Sequence, residues 1–261
     1  MTAVVPQDLQ PPRRFRASPD RGRRIGRPLR AYWRLREPTA EEMSLLGRRL
    51  MMRDEPAAAL VAAMRLPREH PDRVSMRAVH RALQDGVPAD APTALREFFA
   101  RVEATPSWVD PELVEYGAQV FRRFGRNAND VLLALSLIGG YRFGGPVDLL
   151  AETGGLSRST ATRRLGETQT WAIAVGAPGG MARDGDGWKL TVHVRLMHAL
   201  VNDAFEKNGR WDATQWGLPI NQTDLASTLN LFSGALMMGV RSLGVPVDAE
   251  QSRACLLYTS P

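Results

Sequence analysis

The stretch Leu-Thr-Val-His-Val-Arg-Leu-Met-His-Ala-Leu-Val-Asn-Asp-Ala-Phe (190–205) decides how this chain is read. Its apolar residues recur at helical spacing, so the segment is predicted to be an amphipathic helix. Positions i−4, i+3 and i+7 share a helix face. Val194, Val201 and Phe205 therefore flank His198 and give its imidazole an apolar setting. Upstream, Arg163-Arg-Leu-Gly-Glu-Thr168 puts Arg164 and Thr168 on one face, with Trp171 one turn further. An imidazole, a guanidinium and a hydroxyl around an apolar pocket suit an iron porphyrin. The imidazole ligates iron, the guanidinium pairs with a propionate, and apolar walls hold the macrocycle. A lone histidine on such a face is more often a core residue with a satisfied hydrogen bond, and periodicity leaves both roles open.

Working outward, the text reads as helix after helix. Thr39-Ala-Glu-Glu42 is a capping-box signature, and residues 56–65 form a second helix with Pro56 near its start. Further helices are expected around 75–84, 91–103 and 112–124. Residues 131–138 are nearly all apolar, long enough for a buried helix, and stop at Gly139-Gly140. Helices follow at 147–152 and 157–175, with Gly-rich loops at 176–180 and 184–187. Asn221-Gln-Thr-Asp224 caps a last helix running to about residue 243. Nothing alternates strictly enough for a sheet. The expected fold is all-α, a single helical domain over 37–254, with no internal repeat.

Composition sets the limits. A hydrophobic fraction of 44% and a charged fraction of 24% are ordinary for a globular chain with an ample core. The net charge of +6 is uneven: residues 1–36 hold ten arginines against Asp8 and Asp20, leaving the remainder slightly acidic. Residues 1–36 are expected to be a solvated, disordered basic arm, able to make peripheral contact with anionic lipid. No apolar run approaches the about eighteen residues of a spanning helix, and no h-region follows Arg13-Arg14, so a cytoplasmic protein is expected. The closing heptapeptide Cys255-Leu-Leu-Tyr-Thr-Ser-Pro261 resembles a translated sequencing adapter. Residues 255–261 are accordingly expected to be a non-native tail on a truncated chain. With no cysteine before it, thiolate ligation of haem is excluded and histidine leads as iron ligand.

His193 lies five residues before His198 on a different face, so the two do not form a metal clamp. His70 and His80 stand in polar, loop-flanked text. No HExxH or ExxH spacing exists, which excludes those zinc-hydrolase and di-iron patterns. Residues 149–165 resemble a helix-turn-helix, with Arg158, Ser159, Thr162 and Arg163 toward a groove, and with the arginine arm they form a DNA-binding alternative. Against it, the second helix runs on into apolar residues 171–175, and the body is net negative. No nucleic-acid partner is expected. The segment Gly217-Leu-Pro-Ile-Asn-Gln-Thr-Asp-Leu-Ala-Ser-Thr-Leu229 reads by itself as a chain break, a cap at Asn221 and core packing by Leu225, Leu229 and Phe232.

Taken in order, Arg164-x-x-Glu-Thr168, Trp188 with Val194-Arg-Leu-Met-His-Ala199, and the 217–229 segment resemble the catalytic domain of the MpaB and rubber-oxygenase (latex-clearing protein) family over roughly residues 106–248. The resemblance implies a helical haem b protein with a globin-like haem-binding core. It implies His198 as proximal iron ligand, Arg164 and Thr168 holding the haem, and Arg195 in support. Rubber oxygenases carry a distal lysine before the matching threonine; here that residue is Glu167, which puts polyisoprene as substrate in doubt. Asp148 or Glu152 stands where the family places an acidic residue proposed as base. The expected activity is that of a haem oxygenase, a dioxygenase acting with O2 on an apolar alkene or isoprenoid-like molecule. A non-catalytic haem-binding protein is the second alternative.

Overall fold

Side-chain caps and prolines set most helix starts in the computed structural model, which describes residues 6, 8–16, 19–140, 144–154 and 158–258. Two helices lie in the arm, α1 (Arg13–Arg16) and α2 (Pro19–Trp33). In α3 (Ala40–Arg49) the predicted capping box is complete: the Thr39 hydroxyl accepts from the Glu42 amide at 3.1 Å, and the Glu42 carboxylate accepts from the Thr39 amide at 2.8 Å. Asp54 caps α4 (Glu55–Met64), and Ser75 caps α5 (Met76–Asp85). Then come α6 (Thr93–Glu103) and α7 (Pro111–Phe124), the latter capped by Asp110 with Pro111 in its first turn.

The short α8 (Arg126–Val131) runs into a π-helix, Leu132–Ile138. Next are α9 (Pro146–Glu152), α10 (Arg158–Val175) and the longest element, α11 (Asp186–Asn208). The chain continues through α12 (Ala213–Trp216), α13 (Gln222–Phe232), α14 (Gly234–Ser242) and α15 (Ala249–Tyr258). No strand occurs among the described residues, and the fold is all-α.

Two larger apolar cores organise most of these helices, and a small third cluster packs Ala118 of α7 against Val175 of α10. The first joins α4, α5 and α6 to one stripe of α11, with Leu60, Phe98 and Leu196 wholly removed from solvent. Phe98 and Phe99 meet edge to face at 5.6 Å, a geometry favoured by the ring quadrupoles. The second joins α7, α8, α14 and α15 around Phe124, Leu236 and Val240.

Three expectations meet these cores differently. Residues 131–138 are not a buried helix: Val131 and Ser136 are buried, but Leu133, Leu135, Leu137 and Ile138 are exposed, Ile138 by 60%. Of the closing heptapeptide, residues 255–258 complete α15, and Cys255 is buried against α7, its thiol pushed up to about 12 by desolvation. Residues 259–261 lie outside the described residues, as do 155–157, where the turn of the helix-turn-helix reading falls.

Candidate functional site

Helix α11 has two apolar faces with different fates. Trp188, Val192, Leu196 and Ala199 recur at helical spacing and are buried in the first core. His198 lies on another face, with Val194 still 38% exposed, Val201 half-buried and Phe205 buried. The histidine is thus on the expected face, but part of that face has no protein cover.

No hydrogen bond reaches either ring nitrogen of half-buried His198 among the described residues. Burial lowers its pKa below the ordinary 6.5, the Arg164 charge lowers it further, and the Asp54 carboxylate opposes both. The imidazole is therefore neutral near pH 7, with a lone pair available to a metal. The same electrostatics put Arg164 of α10 within reach of His198, although the two are far apart in sequence. Arg164 is exposed and makes no ion pair among the described residues, so its guanidinium is open to an anion.

A short loop and close packing hold α10 against α11. The backbone N–H of Trp188 donates to the carbonyl of Gly180 at 2.8 Å. The Trp171 indole donates to the Thr191 hydroxyl at 2.9 Å, and that hydroxyl donates to the Gly187 carbonyl at 2.8 Å. A Cβ on Gly187 would lie 2.6 Å from the Cα of Val175, so only glycine permits this approach. Trp171 also meets Phe232 of α13 edge to face at 5.4 Å. On its other side, α13 receives the Ser136 hydroxyl of the π-helix at the Leu231 carbonyl, 2.5 Å away. The chain of contacts thus runs from the π-helix through α13 and α10 to α11.

The remaining predicted residues fall into three settings. Thr168 is exposed on α10 beside Glu167, whose carboxylate lies 3.5 Å from the Arg163 guanidinium. Arg195 bonds the Asp54 carboxylate in a two-point pair, with its Nη2 3.0 Å from Oδ1, and its guanidinium lies 5.7 Å from the Phe98 ring centre. It fixes α11 against the start of α4, one turn from His198. Asp148 accepts from the Gly145 amide at 2.9 Å and closes the first turn of α9, while Glu152 pairs with Arg210 at 3.1 Å.

Sequence reasoning missed Asn202. It lies one turn after His198, is buried, and grips the 217–221 segment: its amide donates to the Ile220 carbonyl at 2.8 Å and accepts from the Ile220 N–H at 2.9 Å. A polar residue four positions on from a histidine in an apolar run was the available signal. Asn221 caps α13 as expected, accepting from the Asp224 amide at 2.9 Å. Arg14 of α1 then holds Asp224 at 2.5 Å and the Gly144 carbonyl at 2.6 Å.

Comparison with known proteins identifies the family. Residues 122–258 match the model of the family described as ER-bound oxygenase mpaB/B'/Rubber oxygenase, catalytic domain. A rubber oxygenase from Streptomyces sp. (strain K30) is 25% identical over 179 residues, covering 67% of this chain. The aligned region spans 42% of that relative's length. No solved structure matches. Among the described residues, no helix is long and apolar enough to cross a membrane.

Proposed function

We propose that this chain, which belongs to the family of the mpaB/B' and rubber oxygenase catalytic domain, is a haem b-dependent dioxygenase acting with O2 on an apolar alkene or isoprenoid-like substrate. The observation that carries the reading is His198. A core histidine normally satisfies its ring nitrogens; this one is neutral, has no hydrogen-bond partner among the described residues, and stands near an arginine without a counter-ion. That donor set fits a haem: a neutral imidazole for iron, and the Arg164 cation for a propionate. Thr168 adds a hydroxyl on the same face of α10, and a globin-like core around His198 belongs to the same proposal.

When bound, haem supplies an iron centre for O2 chemistry. The protein's share is positioning and exclusion of water. Arg195 and Asp54 lock the turn of α11 before His198, and Asn202 locks the turn after it. The uncovered side chains of Leu165, Val194 and Met197 on the two site helices, with Leu133 and Leu135 on the π-helix, offer apolar surface to a hydrocarbon. Cleavage of one C=C bond by one O2 into two carbonyls balances atoms and electrons. Glu167, next to Thr168, is assigned the handling of a proton at its carboxylate; Asp148, held by Gly145, is the second acidic group in the proposal. The substrate and the cytoplasmic setting rest on the same footing.

Reconstitution with haemin tests the reading. Wild type is expected to give a sharp, stoichiometric Soret band that collapses in His198→Ala, with unchanged far-ultraviolet circular dichroism. Well-folded wild type without such a band would sink it. Oxygen uptake over a panel of alkenes and isoprenoids then separates an oxygenase from a haem-binding protein without turnover.

A further inference from the structure

Helix α2 has no place in the site described above, and its surface is chemically two-sided. By helical register, positions 23, 27 and 30 share one face with position 24 at its edge, and all four are arginine. Positions 25, 29, 32 and 33 share the opposite face, and in sequence they are Ile, Leu, Tyr and Trp. The body does not cover this apolar face at Ile25, which is 60% exposed; Leu35, just beyond the helix, is 63% exposed. Arg30 pairs with Glu37 at 2.6 Å and donates to the Arg23 carbonyl at 2.7 Å, which folds the segment after the helix back onto it. Arg23, Arg24 and Arg27 make no ion pair among the described residues and border, with Glu37 and Pro38, an open cleft of about 360 Å³. No described side chain of α2 is buried, and Gly22, Gly26 and Pro28 all weaken a helix standing in water.

We infer that α2 is an interfacial helix that lies in the surface of an anionic phospholipid bilayer. The charge distribution selects that partner. Residues 1–36 carry a net +8 while the rest of the chain is net negative, so attraction to a negative surface is concentrated at this helix. A basic face alone would serve nucleic acid equally well. The apolar face with an uncovered isoleucine gains free energy only where a hydrocarbon boundary lies beside the charges. Once α2 lies in the lipid surface, Ile25 leaves water and the arginines meet headgroup phosphates. The inference does not depend on haem and stands or falls separately from the proposed function.

Flotation of the full chain with vesicles tests it. Phosphatidylcholine vesicles with about one-third phosphatidylserine are expected to carry wild type, and pure phosphatidylcholine vesicles are not. Binding is expected to weaken as salt rises. The variant R23E/R24E/R27E, and separately Ile25→Asp, are each expected to bind the anionic vesicles at least about tenfold more weakly, with unchanged circular dichroism. Equal binding to both kinds of vesicle would overturn the inference, as would either variant binding like wild type. Displacement from the vesicles by duplex DNA together with insensitivity to Ile25→Asp would overturn it in favour of a nucleic-acid surface.

Discussion

The two sides of α11 use the same kinds of residue to opposite ends. Toward α4 and α6, leucine, valine and phenylalanine close into a core from which Leu60, Phe98 and Leu196 have lost all solvent contact. On the face that carries His198, Val194 stays 38% exposed, and the elements linked to it through α10 and α13 leave Leu165, Leu135 and Ile138 between 42% and 60% exposed. Burial on the first side is where the apolar driving force of folding is realised. The second side keeps its apolar surface unspent, which suits a ligand rather than the protein's own packing. One helix thus serves as a wall of the core along one stripe and as the bearer of His198 along the other.

That contrast makes ordered predictions. Phe98→Ala, on the closed side, is expected to cost about 3–5 kcal/mol, because the lost ring leaves a cavity as well as lost transfer energy. Denaturant unfolding measures it, and a loss below about 1 kcal/mol would show that the closed side is not closed. Gly187→Ala acts at the seam. Its methyl would meet the Val175 backbone at 2.6 Å, so α10 and α11 must separate. A loss of about 1–3 kcal/mol is expected, together with weaker haem retention after reconstitution. The smallest effect belongs to Leu135→Ser on the open side, where stability should move by no more than about 0.5 kcal/mol. If the open face holds an apolar ligand, ligand affinity falls in Leu135→Ser while the unfolding midpoint stays put. A large stability loss there would erase the distinction between the two sides.

Much of the fold was legible because its helix starts are written in side-chain chemistry. The caps at Thr39 and Asn221 bond as their sequences require. The π-helix was not legible: an apolar run broken only by Ser136 carries almost no phase, so little in the text says which of its residues face out. The helix expected over 221–243 breaks at Ser233, whose φ of −111° and ψ of −81° leave the helical region. The Ser233-Gly234 step was the only local sign of it. At the site, His198 and Arg164 are readable from spacing, but their mutual electrostatic reach is a tertiary fact. Arg195 illustrates the limit. Its position beside the histidine is readable, whereas its partner Asp54 lies 141 residues away and no periodicity links them.

Arg14 carries a consequence for assembly. Its partner Asp224 is 210 residues further along the chain, and Asp224 in turn bonds Asn221, the cap of α13. During synthesis the N-terminal segment emerges first. The guanidinium therefore waits, without its carboxylate, until the residues between the two have been made. The loop that Asn202 grips and Arg14 braces cannot lock before α13 has emerged, so a residue of the basic arm and a cap far downstream become fixed in one late step.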